Sequence, residues 1–386
     1  MVDLKHKKIA IFSHDNEGTT GTDDEIVRYL LKQGCKKIVN IKFPFRRSSD
    51  GAIRLKFFDN TKATQKKSRI KFYRPEPVSY VKDLILGFWY GIKYAKGFDL
   101  FFGMNNLLAC VGIALKKVGV VKQVAYYVID YTPVRYQNTV MNRIYYAIDR
   151  FALYHSNFVV PLNEHMLKGR IHDHHLDHAR IRFCVAPYGN NSLSYRADDF
   201  RRYDKNKIVY FGAVLKMKGV ELFVDIAKQL IHKGHDNFLF EVVGGGDVVW
   251  LREQIKDNKL ENRFRVHGRI DADSDIEKIL LQCSVALAPY YPEDRNNFSY
   301  FADPGKIKIY LGCGLPIVIT DVPPIAKDIV HKHAGLIARY DADDIAGKIV
   351  DIWENYGQYK NNAIAFGKEF DWNIIFGKLF TTLFTD

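Results

Sequence analysis

Along the whole chain, short apolar runs rich in Val, Ile and Phe alternate with longer amphipathic stretches. A strand buried on both faces reads as an unbroken apolar run. A helix crossing back over its sheet reads as an amphipathic stretch, so the alternation restricts the fold to βα units and parallel sheets. Strands are predicted at 8–13, 37–43, 99–103, 123–130, 158–162 and 182–187, with helices at 23–33, 78–95, 107–118, 138–155 and 164–172. The pattern then restarts, with strands at 208–212, 239–244, 264–268, 285–289, 316–320 and 335–339. Residues 46–74 show no period and receive no assignment.

A chain of 386 residues is long enough for two domains. The segment YGNNSLSYRADDFRRYDKNK, residues 188–207, is polar and turn-rich and reads as the connection between them. The division predicted is a first domain over 1–190, a linker over 191–206, a second domain over 207–370, and a terminal helix over 371–386 that returns to pack against the first. Both domains are read as α/β and doubly wound, facing a cleft. In such sheets ligands bind beyond the carboxyl ends of the strands.

Composition narrows the class of partner. Hydrophobic residues make up 47% and charged residues 26%, which excludes disordered and collagen-like chains. The five cysteines, Cys35, Cys110, Cys184, Cys283 and Cys313, are scattered and never spaced as CxxC, so they read as reduced thiols of a cytoplasmic protein. The N-terminus lacks the apolar core of a signal peptide, and the most apolar later window, 98–115, is interrupted by Asp99, Asn105 and Asn106. No transmembrane segment is predicted. Residues 1–200 carry 32 basic and 18 acidic side chains, whereas 201–386 carry 25 and 26. The whole excess of positive charge therefore lies in the first half, with nine basic and two acidic residues in 51–82 alone. This asymmetry predicts an anionic partner for the first domain only. Val78–Ala95 combines Leu84, Ile85, Phe88, Trp89 and Ile92 with flanking lysines, which fits a membrane surface better than nucleic acid, for which no motif is present. A core-facing helix would share this pattern. The run HDHHLDH, residues 172–178, is read as a solvated turn and not a metal site, because no Cys or Glu completes a defined ligand spacing.

Three stretches carry candidate chemistry. In YFGAVLKMKGVELFVDIAKQL, a strand ending at Gly212 leads to Lys218-Gly219 opening a helix, a placement suited to anchoring phosphate. In EVVGGGDVVWLREQI, Gly244–Gly246 join a strand to a helix, and Gly245 is the position chosen for close backbone approach to a ligand. The most specific string is FADPGKIKIYLGCGLPIVITDVP, residues 301–323. Asp303 is predicted to cap a helix begun by Pro304, with Lys306 in its first turn. In the first domain, the turn HDNEGTTGT carries Gly18 and Gly21, and Asp130 ends a central strand.

The order of strand, glycine loop, Lys-Gly and helix, then VVGGG, VHGRID, and a DPxK helix followed by GLPIVIT, resembles the retaining glycosyltransferases of GT-B fold, family 4 (group 1). The similarity is strongest over 207–340. It implies two Rossmann-like domains, a nucleotide-diphosphate sugar held by the second, an acceptor held by the first, and hexosyl transfer with retention, without a metal or other cofactor. Lys218 and Lys306 would then bind the diphosphate, and Gly21, Gly212, Gly245 and Asp303 would complete the donor site. Asp130 would face the acceptor. The resemblance also implies a glycan or lipid-linked acceptor and a cytoplasmic enzyme, peripheral on a membrane. Three positions depart from the family pattern: Ala213 stands where an arginine belongs, Ile129 where a histidine precedes the aspartate, and Ile309 where a glutamate meets the donor ribose. With Ile309 unable to accept a hydrogen bond, Glu293, Asp294 and Asp303 are the alternative carboxylates, Asp303 being preferred. The same departures admit a degenerate binding protein, and the fold also serves nucleotide-sugar epimerases.

Overall fold

The computed structural model describes residues 2–15, 21–44, 51–60, 62–68, 76–191, 204–292, 295–296 and 298–385. Gly18, the greater part of the connection predicted at 191–206, Glu293 and Asp294 lie outside the described residues. Two compact units are present, one of residues 1–187 with 375–386, the other of residues 188–374.

The first unit is built on a seven-stranded sheet of order β4-β3-β2-β1-β5-β6-β7. Five strands are parallel: β1 (Lys8–Asp15), β2 (Lys37–Pro44), β5 (Phe98–Gly103), β6 (Val121–Val128) and β7 (Phe158–Pro161). They are the apolar runs of the sequence, with Ile9, Ile11, Ile38, Phe101, Val124 and Val160 fully or almost fully buried. The unassigned stretch contains an antiparallel hairpin, β3 (Arg54–Asp59) and β4 (Lys62–Lys67), added to the edge of β2. Its outer strand, KATQKK, is exposed at every position, so it has no buried face to leave a period of two. Lysines on such an edge also discourage pairing with another chain. The strand predicted at 182–187 is absent as a strand; only an isolated bridge joins Phe183 to Val159. Helices α1 (Thr22–Lys32), α2 (Glu76–Tyr94), α3 (Asn106–Lys117), α4 (Thr139–His155) and α5 (Glu164–Asp173) cross over between or follow the strands. Residues 375–386 belong to this unit as the main part of α13 (Trp372–Thr385), where Phe376 and Phe380 pack on Tyr29 and Phe380 also meets Phe102.

The second unit holds a wholly parallel six-stranded sheet of order β10-β9-β8-β11-β12-β13, with β8 (Lys207–Phe211), β9 (Leu239–Val243), β10 (Phe264–Gly268), β11 (Val285–Ala288), β12 (Ile317–Thr320) and β13 (Gly335–Ala338). All six predicted strands are present, each end within one residue of its expected place. This order reverses between β8 and β11, the switch point at which doubly wound sheets open a crevice. In the first unit the corresponding reversal lies between β1 and β5.

Candidate functional site

In the second unit, the carboxyl ends of β8 and β11 carry Gly212 and Tyr290 on either side of the switch point. Two lysines from different parts of the chain meet there. Lys218 lies in a 3-10 turn, Lys216–Lys218, and the regular helix α6 begins only at Phe223 (Phe223–His232), so this lysine precedes the helix where the sequence predicted that it opens it. Its Nζ lies 3.3 Å from the Ser299 hydroxyl and 5.9 Å from the centre of the Tyr290 ring. Lys306 sits in the first turn of α9 (Gly305–Gly312), as predicted, with its Nζ 4.7 Å from the same ring and 4.5 Å from that of Tyr210. A methyl group placed on Gly212 would stand 3.7 Å from the Lys306 ammonium, so Gly212 leaves open the space in front of it.

The electrostatics of this pair are unusual. Burial and the neighbouring charge of Lys218 pull the Lys306 ammonium down to a pKa of about 7. No carboxylate pairs with Lys306 among the described residues. Tyrosine rings offer it their negative faces, but these are a weak substitute for a counter-ion. The first N–H groups of α9, on Gly305 and Lys306, have no acceptor within the helix. Tyr290 is buried, its hydroxyl has no partner among the described residues, and burial holds its pKa far above the usual value, so it stays protonated. Cations, helix N–H groups and glycine are the chemistry that receives a phosphate.

The remaining predicted positions sort by what surrounds them. A side chain on Gly244 would run into the Gly212 carbonyl at 1.8 Å, and one on Gly246 into the Val214 carbonyl at 2.4 Å; both have positive φ. Packing within the unit therefore requires those two glycines. Gly245 has only the Arg269 Cβ at 3.4 Å, and its carbonyl accepts from the Val214 N–H. Asp303 does not cap α9: Pro304 occupies the N-cap position. Its Oδ2 accepts from the Tyr188 N–H at 2.6 Å, and its Oδ1 forms an ion pair with the wholly buried Lys308. The carboxylate preferred for a ribose is thus already engaged in joining α9 to the start of the unit. Ile309 lies one turn along the same helix and offers no acceptor.

In the first unit, Asp130 follows β6 and lines a cavity of about 240 Å³ with His14, Asn105, Asn106, Arg135 and Tyr145. Its Oδ2 accepts from Arg135 at 2.8 Å, and the Arg135 guanidinium lies over the Tyr145 ring. The backbone carbonyl of Asp130 is held by Arg170, which is buried against Asp149. His14, at the end of β1, is bracketed by Asp83 at 3.1 Å and Asn105 at 2.5 Å. The Asn106 Nδ2, buried in the cavity wall, has no partner among the described residues. Sequence reasoning missed this cluster; Asn105 and Asn106 follow a buried strand directly, and that position was the available signal. Gly21 is the N-cap of α1, but its N–H faces the Asp24 carboxylate at 3.3 Å, and Asp23, Asp24 and Glu25 fill the first turn. The Asp24 carboxylate thus occupies the place at the helix N-terminus that an anion would take. Of the histidine run, His174 packs on Tyr146, and no group of three His, Cys, Asp or Glu is arranged for a metal among the described residues.

Residues 205–355 match the family model described as glycosyl transferases group 1. The second unit is a group 1 glycosyltransferase domain. No curated protein matches the chain in sequence. Among solved structures, sucrose-phosphate synthase from Thermosynechococcus elongatus is 18% identical, with a TM-score of 0.69 over 98% of this chain and 100% of its own. HepE from Anabaena, in complex with UDP, is 14% identical with a TM-score of 0.66 over the same shares. The lipopolysaccharide outer core galactosyltransferase WaaB is 12% identical with a TM-score of 0.63, over 98% and 99%. These likenesses show the GT-B fold across the whole chain, both units being Rossmann-like.

Proposed function

We propose that the protein is a retaining, metal-independent glycosyltransferase that moves a hexose-type sugar from a nucleotide-diphosphate sugar to a glycan or lipid-linked acceptor. The observation that carries this reading is the pair Lys218 and Lys306, 5.9 and 4.7 Å from the centre of the Tyr290 ring, with no carboxylate to neutralise Lys306 among the described residues. A diphosphate would supply the missing counter-ion, and the two ammonium groups would supply the positive charge that a metal gives elsewhere. HepE has been solved with UDP and with UDP and glucose, which supports a nucleotide and a hexose as ligands of this fold.

In the reaction the bond from the anomeric carbon to the diphosphate breaks and a bond to an acceptor hydroxyl forms on the same face. Charge grows on the leaving phosphate as this happens. Lys218, Lys306 and the free N–H groups of α9 would bind that charge more strongly than the ground state, which is what accelerates departure. Gly212 and Gly245 leave room for the donor. Asp303 acts in this reading through α9, positioning Lys306, and Gly21 shapes the first βα turn. Asp130, with Arg135, would orient the acceptor in the first unit. The acceptor side carries the basic excess, consistent with a cytoplasmic enzyme peripheral on a membrane.

Binding of UDP, GDP and ADP, followed by transfer and hydrolysis assays with their sugars, tests the reading. Lys218→Ala should weaken the preferred nucleotide by about 1.5–3 kcal/mol; unchanged affinity refutes its role. Ala213, Ile129 and Ile309 favour a second reading, a binding protein without turnover. Tight nucleotide binding with no transfer to any acceptor would establish it. Inversion of the sugar without transfer would instead identify an epimerase.

A further inference from the structure

Helix α2 leaves an apolar stripe uncovered. Val78, Val81, Ile85, Trp89 and Ile92 are each 46–64% exposed. At 100° per residue they fall within an arc of about 80°, a single narrow face of the helix. The opposite side is docked tightly on α3: side chains added at Gly87 and Gly91 would strike Val111 and Leu115. Of the five residues singled out in the sequence, Leu84 and Phe88 pack against the core, whereas Ile85, Trp89 and Ile92 face outward in the stripe. Exposed patches of this kind on a folded domain mark a contact surface.

Charge chooses the partner. Lys93 lies 4.7 Å over the Trp89 ring, at the border of the stripe. Phe57 of β3 packs on Tyr94, which points away from the stripe toward the core, so the lysines of the β3–β4 hairpin flank the far side of the helix and add to the basic charge of the unit, not to the stripe itself. Apolar side chains with tryptophan and lysine at their edge match the boundary between acyl chains and anionic headgroups. Among the described residues no helix is long and apolar enough to cross a membrane, so the contact would lie along the surface.

We infer that the Val78–Ile92 stripe of α2, bordered by Lys93 and carried on the basic first unit, is the face by which this protein seats on an anionic lipid bilayer. The inference deepens the peripheral placement proposed above. It also has a consequence for the acceptor: Tyr80 of α2 meets Tyr136 at 3.0 Å and lines the cavity that holds Asp130. A wall of that cavity is thus part of the membrane-seated helix, which suits an acceptor anchored in the same bilayer.

The full-length chain is sedimented with vesicles of phosphatidylcholine alone and of an equal mixture with phosphatidylglycerol. Wild-type protein should pellet with the anionic vesicles, less so as salt rises. Ile85→Asp and Trp89→Ser, both at exposed positions, should each lower the partition coefficient at least tenfold, with thermal midpoints unchanged. Val81→Ser serves as a third variant should either fail to fold. Wild-type binding that survives all of these substitutions overturns the assigned face while leaving peripheral placement standing. No wild-type binding to either vesicle overturns both. Concentration-dependent dimers abolished by Ile85→Asp, without vesicle binding, would show a second copy as the occupant and refute the proposal.

Discussion

The two switch points treat charge in opposite ways. In the first unit, which carries the basic excess of the chain, the N-terminus of α1 is acidic, and its carboxylates are neutralised internally: Lys42, buried, pairs with Asp23 at 3.0 Å and with Asp24 at 2.6 Å. Asp130 likewise already has Arg135. In the second unit, whose sequence is almost neutral, Lys306 stands without a carboxylate among the described residues and beside a second lysine. Net charge therefore does not locate the anion site. A strong site needs charge left uncompensated at one point, and the protein tolerates the cost locally because the rest of the unit is well packed.

The comparison can be broken first at the glycine loop of the second unit. Gly244→Ala should destabilise that unit by about 3–5 kcal/mol, from positive φ and collision with the Gly212 carbonyl together. Gly245→Ala should cost under about 1 kcal/mol in stability and act instead on nucleotide affinity. Chemical denaturation of both variants checks this, and equal losses would remove the distinction drawn between them.

Lys306→Met is the next largest effect, and its two readouts should move in opposite directions. Removing an uncompensated ammonium should raise the unfolding free energy by about 1 kcal/mol, while affinity for a nucleotide diphosphate should fall by about 1.5–3 kcal/mol. A variant that loses stability, or keeps its affinity, contradicts the site as described.

The sign of the pH dependence follows from the same lysine. With a pKa of about 7 in the free protein, Lys306 is progressively neutral above pH 7, whereas a bound diphosphate favours its protonated form. Binding should therefore take up a proton above pH 7, and affinity should fall as pH rises through 7 to 9, by up to tenfold per unit. A nucleotide sugar is the right probe, since its diphosphate is esterified at both ends and does not titrate in this range. Calorimetry in buffers of different ionisation enthalpy measures the proton directly; no proton uptake would mean that Lys306 does not meet the ligand.

Arg135→Gln gives the smallest effect and tests the first unit. The Arg135–Asp130 pair is about one-quarter exposed on each side, so its loss should change stability by under about 1 kcal/mol. Acceptor KM should rise while nucleotide affinity stays as in wild type. A change in nucleotide affinity would show that the division of labour between the units is drawn wrongly.

Much of the fold was legible because burial on both faces leaves a local trace. The run at 317–320 is a central strand and reads as one, and every strand of the second sheet announced itself in this way. The exposed edge strand at 62–67 left none, since nothing buries either of its faces. Lys218 and Lys306 were likewise visible, as cations beside a strand end and a helix start. Their convergence on Tyr290 was not, because local patterning says nothing about approach between residues 88 positions apart.

By itself, then, the sequence determined the parallel strands of both sheets, their order along the chain, and which cations stand near loop ends, all of which depend on a residue and its near neighbours. Only the tertiary structure decided that Asp303 pairs with Lys308, that Lys306 goes without a carboxylate among the described residues, and that α2 turns its glycines inward and its tryptophan outward. Those outcomes depend on which distant groups share one low-dielectric or solvent-facing space, and that is set by packing.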